Sequence, residues 1–191
     1  MPYKDKYILE QRRRQKEKMY QTLETGIYVD GKHIEFALVQ LFNGIWDIML
    51  PSDFIDMPRA VARIKYPSEQ RPQIIKTSLS GRENFTFHLY DVQAENPQSI
   101  RDVCGQFQAV LKQVNQSIRI VETDETEKNN LFLMMFSYIN WGIDTQIYNL
   151  VCMTSLRGKL LQETFCCIYD DAEKWKGMAR QVFLSAREHF L

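Results

Sequence analysis

The residues best suited to proton chemistry in this sequence are three histidines, His33, His88 and His189. None has another histidine, a cysteine or a carboxylate at ligand spacing on one element. Around the first two, apolar residues fall on alternate positions (Ile34, Phe36, Leu38; Phe85, Phe87, Leu89), which is the period of a strand with one buried face. His33 and His88 are therefore expected at the solvent side or the rim, and an enzymatic reading requires the fold to gather His33, His88 and Tyr90 at one sheet edge. His189 is expected in the last turn of a closing helix, where the dipole mildly favours a cation. Carboxylates cluster at Asp170-Asp171 and in "ETDETEK" (122–128). The first pair reads as a helix cap and the second group as a solvated loop. A general acid needs a shielded setting to raise its pKa, which neither context offers. Cys104, Cys152, Cys166 and Cys167 lack the CxxC pairs of a zinc site. Adjacent Cys166 and Cys167 would point to opposite faces of a strand, so buried, reduced thiols are the expectation. No GxSxG, HExxH, P-loop or GxGxxG is present. No catalytic, metal or cofactor set can be read, and the expected function is non-enzymatic.

Charge supplies the other candidates. Lys plus Arg and Asp plus Glu both number 24, a balance that argues against a dedicated nucleic-acid binder. The one dense run is Arg12-Arg13-Arg14 with Lys16 and Lys18, inside a stretch (4–18) of seven basic and three acidic residues. Nothing apolar lies between Leu9 and Met19, so residues 1–25 read as an exposed basic helix or arm that could meet an acidic partner. A second basic group surrounds "KYPSEQRPQII" (65–75), where Arg63, Lys65, Tyr66 and Arg71 flank two prolines. This segment reads first as a corner, with Pro67 ending a short helix and Pro72 leading into a strand. Its second reading is a docking surface for another protein.

These residues must be positioned by a single domain, 26–191. Asp30-Gly31 between two β-prone runs is a hairpin signal. Pro58 can open a short helix that stops near Tyr66. "PQIIKTSLSGRENFTFHLYD" reads as two strands around Ser80-Gly81. Asn96 and Pro97 open a long helix whose apolar stripe runs Ile100, Val103, Cys104, Phe107, Val110, Leu111, Val114. Further strands follow, "LFLMMFSYINW" among them, with apolar residues on both faces. A closing helix carries Trp175, Met178, Ala179, Val182, Phe183, Ala186 and Phe190. The order gives an α+β class: a mostly antiparallel sheet with two long packing helices. No stretch approaches the roughly 20 apolar residues of a membrane-spanning helix. The N-terminus has no signal-peptide pattern, so a cytoplasmic location is expected.

"IWDIMLPSDFIDMPRAVARIKYPSEQRPQII" followed by "NFTFHLY" resembles the PsbP-like group, which includes the Ran-binding Mog proteins and the bacterial DcrB-type proteins. The likeness covers about residues 27 to 190. It implies an α/β sandwich with an accessory or chaperone-like protein-binding role and no catalysis. It leaves the partner open and is compatible with a homo-oligomer. Exported lipoprotein relatives carry a signal and a lipidated cysteine that this sequence lacks.

Overall fold

The computed structural model describes residues 11, 19–142 and 144–189. Arg12, Arg13 and Arg14 lie outside them. The chain opens with β1 (Gln21–Thr22), β2 (Gly26–Val29) and β3 (Lys32–Ile34), which form a small antiparallel sheet. Val29 pairs with Lys32 across a two-residue turn in which Asp30 (φ 52°) and Gly31 (φ 77°) are both left-handed. That is the geometry of a type I′ hairpin, and it requires Gly31. β4 (Phe36–Leu41) and β5 (Trp46–Pro51) pair next, and β13 (Arg187–Glu188) joins β5 from the far end of the chain. The alternation of Ile34, Phe36 and Leu38 does not hold as one strand. The chain turns at Glu35, whose carbonyl accepts from the Ser52 amide, and Leu38 is left 60% exposed.

The main sheet has seven antiparallel strands in the order β6 (Ile55–Asp56), β7 (Ile74–Thr77), β8 (Asn84–Gln93), β12 (Lys159–Ile168), β11 (Gln146–Leu156), β10 (Leu131–Trp141), β9 (Arg119–Lys128). "ETDETEK" is therefore no loop. It belongs to the edge strand β9, paired with β10 along its length. Charges on a strand that faces water on one edge guard against edge-to-edge association. Here they also tie the edge to both layers above and below it, through Arg101–Glu125 on one face and Arg180–Asp124 on the other.

Three helices appear among the described residues: α1 (Arg59–Lys65), α2 (Pro97–Val114) and α3 (Ala172–Leu184). α2 starts in a full capping box, Asn96 accepting from the Ser99 amide while the Ser99 hydroxyl holds the Asn96 backbone. Its stripe packs Ile100 and Cys104 onto Phe136, Val151 and Met153 of the sheet, but Val110 and Val114 stay exposed. α3 lies on the opposite face with β4 and β5. There Met178, Ala179, Val182 and Phe183 meet Trp46, Ile48, Phe85 and Phe165 in the main core. α3 ends earlier than its apolar pattern suggests. Ser185 closes it by bonding Val182 and accepting from the Met49 amide, which frees the chain to form β13. His189 thus lies beyond that strand, beside Asp47, and not in a helical turn. Asp171 sits at the helix start but offers no side-chain cap, because its carboxylate pairs with Lys174. Cys166 and Cys167 do face opposite ways: Cys167 joins the main core, whereas Cys166 meets Tyr66 and Asn84 on the other side.

Candidate functional site

α1 is short because it is bounded by proline. Pro58 precedes its first residue and Pro67 follows Tyr66, whose amide makes the last helical bond to Ala62. Seven residues make about two turns, so residues four apart share a face. Ala62 and Tyr66 form the inward row, packed with Met57 and Ile75 in a small satellite cluster. Arg59 and Arg63 form a second row. They line a cleft of about 600 Å³ whose far wall is Arg71, Pro72 and Gln73 and whose apolar floor is Met57, Ala62 and Ile75, while the neighbouring Ile74 turns its side chain to the main core. The far wall is held in place by Gln73. Its side-chain amide donates to the Leu89 carbonyl (3.2 Å) and accepts from the Leu89 amide (2.9 Å), so a side chain continues the β7–β8 ladder past its end.

The cleft is strongly cationic. Arg71 donates to the Ser68 carbonyl at 3.2 Å and meets no carboxylate among the described residues. Arg59 and Arg63 make no ion pair among the described residues. The one acidic lining residue, Asp56, is bound to Lys76 at 2.8 Å. Of the four docking candidates at this corner, Arg63 and Arg71 converge here. Lys65 instead donates to the Gly81 carbonyl (2.6 Å), which pins α1 to the β7–β8 turn. Tyr66 turns inward, its hydroxyl 3.8 Å from the Cys166 sulfur, and burial together with that neighbour pushes its ionisation far up. Tyr66 is therefore a structural anchor. Arg59 was not singled out from the sequence, yet its spacing of four from Arg63 behind Pro58 is a readable signal.

Beside the cleft, between α1 and α2, the sheet shows a polar band from its central strands β8 and β12: Thr86, His88, Tyr90, Gln162, Thr164 and Cys166. These groups bond to one another, Tyr90 to Gln162 (3.3 Å) and Gln162 to Thr164 (3.2 Å). His88 and Tyr90 stack face to face with centroids 4.1 Å apart. Burial lowers the His88 pKa and raises that of Tyr90, so both favour their neutral forms. His33 does not join them. It lies on β3 against Tyr20 and Tyr28. The gathering of His33, His88 and Tyr90 that an enzymatic site would require does not occur.

A buried carboxylate lies on the other face. Glu163 is fully buried in the main core. Trp46 donates to its Oε1 (2.8 Å), while its Oε2 has no partner, and burial raises its pKa to about 8.

No family model matches the chain, and no curated protein is similar to it in sequence. Solved structures are similar in fold. The cyanobacterial PsbP (CyanoP) of Synechocystis superposes with a TM-score of 0.62 at 14% identity, covering 81% of this chain and 92% of that one. The Ran-binding protein Mog1p of Saccharomyces cerevisiae gives 0.52 at 10% identity, over 80% of this chain and 95% of that one. LpqN of Mycobacterium tuberculosis, described as involved in cell envelope biogenesis, gives 0.50 at 11% identity, over 88% and 97%. Seven antiparallel strands with helices on both faces, superposed across four fifths or more of the chain, give this protein the PsbP- and Mog1p-like fold.

Proposed function

We propose that this chain is a non-enzymatic protein-binding module and that its docking face is the α1 side of the seven-stranded sheet. One observation carries the reading. α1 turns Val61 (47% exposed) and Ile64 (83% exposed) to solvent immediately beside the arginine-lined cleft. Apolar side chains next to unpaired guanidinium groups form the mixed surface that partners bury, and arginine is enriched in such surfaces. Mog1p, of similar fold, is a Ran-binding protein, which is in keeping with a binding use of this fold. The polar band on the same face serves as a fixed wall, with Tyr90, Gln162 and Thr164 linked by hydrogen bonds and His88 stacked on Tyr90.

Affinity purification from the native source with the wild-type protein and Ile64→Asp side by side tests this. A partner held by the wild-type chain and lost from a folded Ile64→Asp variant is the expected result. A partner retained equally by both moves the docking face elsewhere.

A further inference from the structure

We propose that the cleft between α1 and the 71–75 segment recognises an acidic peptide segment of the partner, its carboxylates held by Arg59, Arg63 and Arg71 and an apolar side chain seated on the floor. This rests on the protein-binding reading above and specifies what is bound. Three features favour it. Arg59 and Arg63 stand one helical turn apart on one face of α1, and Arg71 faces them from the opposite wall, so cationic groups flank the cleft on both sides. A guanidinium fork matches a carboxylate with two parallel hydrogen bonds, and none of these three is engaged by an acid of its own chain among the described residues. The floor of Met57, Ala62 and Ile75 is apolar, and about 600 Å³ accommodates side chains and not only an ion.

The same floor disfavours single-stranded nucleic acid, which needs aromatic platforms for its bases. Among the described residues no aromatic ring lines the cleft, and Tyr66 beneath it is turned inward to Cys166. The balanced net charge points the same way.

The test uses the full chain and three labelled probes followed by fluorescence anisotropy: a peptide of alternating Glu and Leu, its Gln/Leu counterpart, and polyuridine RNA. The Glu/Leu peptide is expected to bind saturably. Its Gln/Leu counterpart should bind about ten-fold more weakly or worse, as loss of charge-assisted hydrogen bonds predicts. Arg59→Gln, Arg63→Gln and Arg71→Gln should each weaken the Glu/Leu peptide by a similar factor. Arg63→Lys, which keeps the charge and loses the fork, should weaken it several-fold. Arg59 and Arg63 are exposed and Arg71 is half-buried, and unchanged circular dichroism would confirm intact folding. Equal binding of the Glu and Gln peptides overturns the proposal, and so does polyuridine binding more tightly with the same arginine dependence. If a native partner survives the triple Arg→Gln variant but is lost on Ile64→Asp, the protein-binding reading stands and the acidic-segment proposal falls.

Discussion

The two faces of the seven-stranded sheet are built from the same strands and differ in almost every physical respect. Toward α3 and β5, alternate residues of β8, β11 and β12 are Phe85, Phe87, Leu150, Cys152, Leu161 and Phe165, all buried. Phe85 is the hub of this face, 4.9 Å from Phe165 and edge-on to Phe183 at 5.9 Å. On the other face the intervening residues of β8 and β12 are Thr86, His88, Tyr90, Gln162, Thr164 and Cys166. α2 covers β10 and β11 with an apolar core of its own, α1 covers β7, and the polar band lies between them. Burying a polar group costs free energy unless it is bonded, so this second face contributes less to stability per residue and keeps more of its surface for other uses. One face holds the fold together, and the other carries the cleft.

The largest expected effect comes from attacking the dry face. Phe85→Ala should cost about 3–5 kcal/mol, because a fully buried ring leaves a cavity that its neighbours cannot close. His88→Ala, three strand positions away on the banded face, should cost far less, since the ring is half-buried and makes one stacking contact. Paired urea melts of the two variants measure the contrast directly. Equal losses would mean that the banded face is as much a core as the other.

The second test concerns the buried carboxylate on the dry face. Glu163 has a folded-state pKa of about 8, against 4.5 for an ordinary glutamate. The folded state therefore holds this proton more tightly than the unfolded chain does. The stabilising contribution is complete below about pH 4.5 and is lost as the pH rises to about 8, with a slope of up to about 1.4 kcal/mol per pH unit. Glu163→Gln keeps an acceptor for Trp46 and cannot ionise. It should flatten that slope and make the variant the more stable protein at pH 9, while near pH 4.5 the two differ little. Thermal melts across pH 4 to 9 distinguish this from a carboxylate that stays charged in the fold, for which the wild type would not lose stability over that window.

How much of this was legible follows from the same contrast. The α+β class, the Asp30-Gly31 hairpin, α1 between its prolines and the Asn96 cap were all local signals, and the structure contains them. Glu163 was legible in principle. It occupies the period-2 row of Leu161, Phe165 and Cys167, where alternation places it inside. The "ETDETEK" part of β9 reads as a loop because an edge strand armed with charges has the composition of one; only β10 beside it makes the ladder. The split of the basic corner into cleft residues (Arg63, Arg71), a tether (Lys65) and an anchor (Tyr66) depends on Gly81 and Cys166. Those partners are 16 and 100 residues away in sequence, beyond the reach of any local pattern.

The hairpin offers a test of intermediate size that touches neither face of the main sheet. Gly31→Val places a β-branched residue at φ 77° and should cost about 1–3 kcal/mol. Since β2 and β3 feed Val29 and Ile34 into the main core, the loss should appear as a lower melting temperature of the whole domain. A separate early transition would show instead that the small sheet opens by itself.

The smallest expected effect is at Tyr66, and it decides to which function that residue belongs. Its hydroxyl reaches only the Cys166 sulfur, a weak acceptor at 3.8 Å, while its ring packs with Met57, Ala62 and Ile75. Tyr66→Phe removes the hydroxyl and preserves the packing, so the change in stability should stay within about 1 kcal/mol. If Tyr66 is an anchor beneath the cleft, Tyr66→Phe should bind the Glu/Leu peptide as the wild type does. If its hydroxyl swings out to contact the ligand, affinity should fall while the melting temperature does not move. That separation of readouts would reassign Tyr66 from the floor of the site to its rim, and would show that the corner at Pro67 opens when the cleft is filled.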